Sequence, residues 1–511
     1  MKTTITLLLT ILFFGCTNAQ APAIQWQKSL GGSVYDVPRA IQLTTDGGYV
    51  MTGVSQSNDG DVTGNNGSFD YWVVKLDATG TIQWQKSLGG SGDDFAQSIQ
   101  TTLDGGYVVA GYVLSNDGNV SGNHGGSDYW VVKLDATGNI QWQKTLGGSN
   151  SDVAYAIQTT FDGGYVIAGL SNSNDGNVTG NHGGYDYWVV KLDATGNIQW
   201  QKTLGGSNED DAYTIKTTSD GGYVVAGRSK SSDGNVTGNH GVYDYWVVKL
   251  DATGNIQWQK SLGGSNNDIA QSIHTTSDGG YVVAGYSQSI DGNSFGNHGS
   301  YDCWVVKLDA AGNIQWQKSL GGLSDDVAQS INTTSDRGYI IAGYSSSNDG
   351  EVTGNHGAQD YWVVKIDAIG NLQWQKSLGG SSSDVAYAIL NTSDSGYILA
   401  GYSSSNDGNV TGNHGGVDCW VVKLAPEVLV TSAFEKQGIV IYPNPVCDVL
   451  QIQTPNNTII SKAKIIDITG KVVLEQTQNS NTINVENLAQ GVYILEAYSS
   501  VAKYTSKFVK Q

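Results

Sequence analysis

The sequence predicts an all-β protein: a seven-bladed β-propeller of four-stranded blades with shared-strand closure, followed by a small C-terminal β-sandwich. The main observation is a period. The string Ile-Gln-Trp-Gln-Lys, or a one-residue variant of it, recurs seven times at 58-residue spacing, with its tryptophan at Trp26, Trp84, Trp142, Trp200, Trp258, Trp316 and Trp374. A second string, Asp-(Tyr/Cys)-Trp-Val-Val-Lys, keeps that period at Trp72, Trp130, Trp188, Trp246, Trp304, Trp362 and Trp420, and the two together account for all 14 tryptophans. A fixed period of this length marks one supersecondary unit copied and packed against its own neighbours. Composition agrees, since 68 glycines, 2 methionines and a charged fraction of 14% describe a turn-dense, β-rich chain.

Residues 1–19 read as an export signal, with Lys2, an apolar run from Leu7 to Phe14, and Thr17-Asn18-Ala19 as a small-residue cleavage site before Gln20. The run is too short to span a bilayer, and no other stretch reads as a transmembrane segment. Cys16 after Phe13-Phe14-Gly15 offers a secondary reading as a lipoprotein cysteine. The remaining cysteines, Cys303, Cys419 and Cys447, are too few and too far apart for a disulfide framework. Cys303 and Cys419 replace the tyrosine of the second string and are expected to be half-buried, inert thiols.

Residues 20–424 carry the repeats. In the unit from Asp152 to Gly206, strands are expected at Ala154 to Thr160 and Tyr165 to Gly169 around the turn Asp162-Gly163-Gly164. After a polar loop, Tyr187 to Leu192 and Ile198 to Leu204 form a second hairpin around Asp193-Ala194-Thr195-Gly196. No stretch has apolar spacing at 3.6 residues over a useful length, so helix should be nearly absent. The array opens with a lone fourth strand, Ile24 to Leu30, and closes with a lone third strand, Trp420 to Leu424. A ring profits from that cut, because pairing the two ends in one blade removes an open edge. The repeat matches neither the WD nor the kelch pattern.

In such a blade the long loop between strands two and three and the Leu-Gly-Gly-Ser-x-x-Asp turn into the next blade emerge on one face. The turn aspartates, two aspartates per long loop, and the extra acids Asp61 and Glu351 place 23 of the 47 carboxylates there. With a net charge of -20, that face should favour cations and disfavour nucleic acid. The loop order also fits a calcium site, Ca2+ in a structural role, with oxygen ligands at positions 1, 3 and 5, a glycine at 6 and a carboxylate at 12. The candidate ligands are Asp59, Asp61, Thr63 and Asp70 in the first copy, then Asp117, Asn119, Ser121 and Asp128, and then Asp175, Asn177, Thr179 and Asp186. They continue as Asp233, Asn235, Thr237 and Asp244, as Asp349, Glu351, Thr353 and Asp360, and as Asp407, Asn409, Thr411 and Asp418. The fifth copy departs, with Phe295 at position 5. The competing reading is a set of Asx-turns, in which Asp and Asn side chains satisfy nearby amides and glycines supply positive φ.

His124, His182, His240, His298, His356 and His414 follow the same loop, with Asn66 in the first copy. One isolated histidine per blade, replaceable by asparagine, reads as a hydrogen-bonding group rather than a zinc ligand or a base. The repeated tryptophans and tyrosines lie within strands and read as core packing rather than a sugar platform. An enzyme would need an asymmetric site, whereas few residues break the pattern: Arg39, Arg228, Lys230, His274 and Arg337. They form no recognisable nucleophile-base-orienter set; their gathering around one pocket would favour an enzyme, whereas near-perfect symmetry with several equivalent sites would favour multivalent binding.

A linker, residues 425–438, leads to a module at 439–511. It carries Tyr442-Pro443-Asn444-Pro445, Ile465-Ile466-Asp467-Ile468-Thr469-Gly470-Lys471-Val472-Val473, Leu488-Ala489-Gln490-Gly491-Val492-Tyr493-Ile494 and the terminal Lys507-Phe508-Val509-Lys510, which read as turns and alternating strands. Those four strings, in that order, resemble the sorting domain of type IX secretion substrates in Bacteroidetes. The resemblance implies passage across both membranes, recognition of the module by the type IX secretion machinery, and release or attachment at the cell surface. The repeats look like the Trp- and Gly-rich propeller repeats of secreted proteins from those bacteria, a likeness that supplies no biochemical role. The expected function is therefore a secreted or cell-surface binding or adhesion scaffold for a glycan or protein ligand. The alternative is an extracellular enzyme acting on polysaccharide at the acidic loop face.

Overall fold

The computed structural model describes residues 20–427, 439–454, 458–499 and 503–511. These divide into two compact units, the propeller up to Glu427 and a C-terminal unit from Ile439. The expected signal peptide and most of the expected linker lie outside the described residues. Among the described residues there is no helix, and none of their segments is a helix long and apolar enough to cross a membrane.

Strand β1 (Ile24–Leu30) precedes the first complete blade, which consists of β2 (Asp36–Leu43), β3 (Tyr49–Ser55), β4 (Asp70–Leu76) and β5 (Ile82–Leu88) in that spatial order. Five further blades repeat this antiparallel order. The seventh takes Asp384–Asn391, Tyr397–Ser403 and Asp418–Leu424 from the end of the array and β1 as its outermost strand. The shared blade is further fixed by Trp420 Nε1 donating to Gln27 Oε1 at 2.7 Å and the Ala425 amide donating to Ala23 O at 2.9 Å.

The β-branched and aromatic residues of the second and third strands cover both sheet faces, as strands buried on both sides require. All seven third-strand tryptophans are at most 1% exposed. Each blade's third-strand tyrosine lies against the third-strand tryptophan of the next blade. Tyr129 and Trp188 are typical, with ring centroids 4.4 Å apart and Tyr129 Oη donating to the Trp188 carbonyl at 2.9 Å. Cys303 and Cys419 interrupt that bond at two of the seven junctions. Both thiols are wholly rather than half buried, and burial pushes both well above the ordinary thiol range.

The fourth-strand tryptophans are mostly half-buried and tie the outer edges together. Trp84 meets Tyr107 of the next blade at 5.7 Å and covers Gly138, where a Cβ would lie 2.8 Å from the indole. The lysine of the second string has a structural role too. Lys75 Nζ, in a side chain 4% exposed, bonds Asp46 at 2.8 Å and Gln83 at 3.0 Å, and the Asp46 carboxyl is held at about 2 by that lysine. Equivalent pairs occur in all seven blades.

The C-terminal unit is the expected sandwich. One sheet contains Val440–Tyr442, Val449–Gln453 and Thr482–Asn484, and the other contains Lys462–Asp467, Val472–Gln476, Gly491–Tyr498 and Lys503–Lys510. Leu450 and Ile483 from the first sheet share a core with Ile465, Leu495 and Phe508 from the second. The Tyr-Pro-Asn-Pro string is tied to the final strand, because the Val509 amide donates to Asn444 Oδ1 at 2.9 Å.

The shared blade generates the first prediction. Removing residues 20–30 leaves the Asp418–Leu424 strand as an open edge, so the truncated chain should melt at lower temperature than the parent and self-associate on size exclusion with light scattering. A monomer with an unchanged melting temperature would contradict closure by β1.

Candidate functional site: blade junctions and the axial mouth

The long loops and the turns between blades do lie together, on what we call the loop face. In the first loop, Asp59 Oδ1 accepts the Ser33 amide at 2.8 Å and Asp61 Oδ2 accepts the Gly31 amide at 3.2 Å. Thr63 Oγ1 accepts from the Gln85 side chain at 2.5 Å, and Asp70 Oδ2 accepts the Asn66 amide at 2.8 Å. The second loop repeats the arrangement, with Asp117 on Ser91, Asn119 on Gly89, Ser121 on Gln143 and Asp128 on His124. The candidate calcium ligands thus hold the loop to the preceding turn, to the outer strand and to itself. Among the described residues, no three or more His, Cys, Asp or Glu side chains gather in metal-holding geometry. The amide of Ser33 keeps Asp59 below the usual carboxylate range.

Fourteen of the acids expected to form a surface field are wholly buried. They are the turn aspartates, such as Asp94, and the third-strand aspartates, such as Asp70. This corrects the expectation of a strongly acidic surface: the position-1 aspartates of the loops, Asp61 and Glu351 are what remains of it. The buried acids meet in pairs at blade junctions. A Cβ on Gly89 would fall 2.5 Å from Asp70 Oδ1 and 2.6 Å from Asp94 Oδ2, so the two carboxylates close over a glycine that can carry no side chain. Asp94 Oδ2 accepts from the Gly90 amide at 2.8 Å and Ser115 Oγ at 2.7 Å. Asp70 Oδ1 has no hydrogen-bond partner, and the same atom is unpartnered in Asp128, Asp186, Asp244, Asp302, Asp360 and Asp418. Burial lifts the Asp70 carboxyl to about 6, with the Asp94 charge adding to the rise. Asp152, Asp210 and Asp268 are also lifted by burial to about 6. The histidines join these pairs as hydrogen-bonding groups, with His124 Nδ1 2.5 Å from Asp128 Oδ2 and the same contact in the five other copies.

The asymmetric residues occupy another part of the loop face. Each inner strand has eight residues against seven in its partner, and the register slips after the third residue in every blade. The extra residue of this β-bulge is unpaired and its side chain is re-aimed. Those seven positions hold Arg39, Gln97, Tyr155, Tyr213, Gln271, Gln329 and Tyr387, all half-buried, on the strands nearest the axis. Around them the copies also diverge. Arg228 lies over Tyr243 at 4.3 Å and pairs with the buried Asp211 at 2.6 Å. Tyr155 and Tyr213 meet edge to face at 5.1 Å, Arg39 stacks on Tyr387 at 4.3 Å, and Phe69, Phe95 and Tyr112 form a continuous stack. Tyr155 is lifted to about 12, chiefly by burial, although both Arg228 and Arg39 pull it down, which places charges from two other blades within its reach.

Of the five pattern-breaking residues, Arg228 and Lys230 meet at the Tyr243 ring, with Lys230 Nζ 5.7 Å from its centre, and Arg39 lies on Tyr387. His274 lies further along an inner strand, where burial and the nearby Lys216 hold it at about 4. Arg337 lies in a turn on the opposite face, in a left-handed conformation with φ 68°. Sequence reasoning missed Tyr155, Tyr213, Tyr387 and Asp211. Aligning the seven copies and looking for the column where they disagree would have found them. A cavity of about 1270 Å³ on the opposite face is walled by repeated residues such as Trp84 and Trp142, with exposed Leu103 and Phe161 as departures.

Comparison with known proteins follows this division. Residues 440–511 match the family described as Secretion system C-terminal sorting domain, and residues 73–237 match the model described as Outer membrane protein assembly factor BamB. The chain thus carries a type IX secretion sorting tail, which directs it through that machinery to the cell surface or the extracellular space. A curated relative, the regulatory protein FlaEY of Caulobacter vibrioides, is 24% identical over 75% of this chain, which spans 44% of the relative's length. Among solved structures, PorZ of the type IX secretion system of Porphyromonas gingivalis is 11% identical with a TM-score of 0.39, over 94% of this chain and 60% of that one. The extracellular domain of the hybrid two-component system BT4673 of B. thetaiotaomicron is 11% identical with a TM-score of 0.43, over 96% and 60%.

The junction pairs yield a prediction with a definite sign. A carboxyl raised to about 6 in the fold stabilises it when protonated, so that contribution is lost as pH rises from about 4 through 6. Asp70→Asn removes the charge and offers an amide to Asp94. It should raise stability at pH 7.5 by on the order of 2 kcal/mol, with the gain shrinking towards pH 4 in thermal melts. A destabilised variant at pH 7.5 would show that the Asp70 charge is needed.

Proposed function

We propose that the exported propeller is a non-catalytic binding protein that holds a surface or environmental glycan at the axial mouth of its loop face. One observation carries this reading: the seven copies agree at the positions that build the blades and disagree at the bulge that faces the axis. Tyrosine faces beside glutamine amides and an arginine suit sugars, which present apolar ring faces and hydroxyl edges together. The buried junction acids and self-bonded loops serve as the rigid mount. The C-terminal module supplies the address.

On a glycan array the secreted chain should bind a restricted set of oligosaccharides. Tyr155→Ala and Tyr213→Ala should each weaken binding about tenfold, in line with the loss of one aromatic contact. Phe161→Ala, in the cavity of the opposite face, should not. Loss of binding in Phe161→Ala alone would move the site to that cavity.

A second reading, hydrolysis of polysaccharide at the same mouth, is favoured by Asp211, whose buried carboxyl is raised by desolvation and whose Oδ1 lacks a partner. Against it, Arg228 neutralises that carboxylate and Glu209 is bonded to Tyr243. Release of reducing ends by the parent chain but not by Asp211→Asn would establish the enzyme.

Calcium in the long loops has its own test. The seven unpartnered Asp Oδ1 atoms support it, and the separate partners of positions 1, 3 and 5 support Asx structure. Calorimetric titration showing several equivalents, with a melting temperature that falls in chelator, would establish calcium. A flat titration would leave the loops as hydrogen-bonded turns.

A further inference from the structure

We propose that the ligand of the axial mouth carries a carboxylate, as a uronic acid or other acidic sugar does, and that the Arg39 guanidinium receives it. The inference rests on the glycan-binding reading and names its ligand class. Arg39 is the mouth arginine left without a counter-ion. Arg228 is held by Asp211 at 2.6 Å, whereas Arg39 makes no ion pair among the described residues and its Nε is buried without a hydrogen-bond partner. A buried donor of this kind is retained at a cost unless something fills it.

Arg39 Cζ lies over the Tyr387 ring, 4.3 Å from its centre. The guanidinium carries an N–H fork of the geometry that takes a carboxylate through two parallel bonds. The surroundings define the rest of the ligand. Tyr155 and Tyr213 offer ring faces, and Gln97, Gln271 and Gln329 occupy equivalent bulge positions with amides suited to hydroxyls. Deeper along the inner strands, Lys216 has no ion pair among the described residues, and burial holds its amine below the ordinary lysine range. Asp93, Glu209 and Asp325, each just before an inner strand, form an acidic rim on the loop face. A highly charged polyanion would meet that rim unfavourably, whereas a single carboxylate seated at Arg39 would not.

The test is calorimetric binding of the full secreted chain to two probes with one backbone: a neutral xylo-oligosaccharide bearing a single glucuronic acid, and its methyl ester. A glycan array of acidic and neutral oligosaccharides is run in parallel. The acid should bind at least about tenfold tighter than the ester, as expected when one charge-assisted bidentate contact is lost. Arg39→Gln should erase that difference by lowering affinity for the acid at least about tenfold. Arg39→Lys, which keeps the charge without the fork, should fall between. Thermal melts of both variants matching the parent would show that the fold is intact. Equal binding of acid and ester, or an acid preference that survives Arg39→Gln, would overturn the carboxylate assignment and leave glycan binding standing. An array bound only by neutral sugars would do the same. No binding to either probe or to any array member would overturn both.

Discussion

Every blade of this molecule is apolar on both faces and can bury them only against two neighbours, so the fold depends on closing the ring. The tyrosine and tryptophan of each third strand express that constraint most directly. Tilted ring pairs such as Tyr187 and Trp246, bonded from hydroxyl to carbonyl at 2.8 Å, hand burial from one blade to the next. β1 completes the circuit, because without it the seventh blade would end on an unpaired strand. Burial of an aromatic pair contributes several kilocalories per mole through area alone, with about 1 kcal/mol more from ring geometry. Five of the seven junctions carry such a pair, and together they outweigh what any loop contributes.

That surplus explains how the protein tolerates fourteen buried carboxyls. Each junction pair costs desolvation and mutual repulsion, only partly offset by amides and serine hydroxyls. The geometry they gain is close approach of turn and loop over a bare glycine, repeated at every junction, which fixes the loop face rigidly. On such a mount, one extra residue per inner strand can vary without disturbing the blades. The bulge residue leaves the hydrogen-bonding register, so arginine, glutamine and tyrosine are interchangeable there in a way that Ile99 or Trp130, both wholly buried, are not.

Much of this was legible in the sequence. The 58-residue period, the four strands per unit and the shared closing blade follow from where the tryptophan strings begin and end. In the unit from Asp152 to Gly206, the expected strands agree with Asp152–Thr159, Tyr165–Ser171, Asp186–Leu192 and Ile198–Leu204 to within two residues. The sorting module is legible because its turns and alternation survive at short range. Other features were hidden because they depend on tertiary neighbours. Asp70 and Asp94 look like surface acids until the blades close over them. Cys303 looks like a minor variant until its position is seen to be a tyrosine seat fully enclosed by the next blade. The bulge is invisible in hydrophobic alternation, since one inserted residue reads as noise in each copy and becomes a pattern only when seven are compared.

If function is carried by one asymmetric mouth and not by seven equivalent loops, one propeller takes up one ligand. Native mass spectrometry of the secreted chain with a bound oligosaccharide measures this directly, as the number of ligands per propeller. Saturation at one ligand per chain is the expected result. Saturation near seven would contradict it and assign binding to the repeated loops.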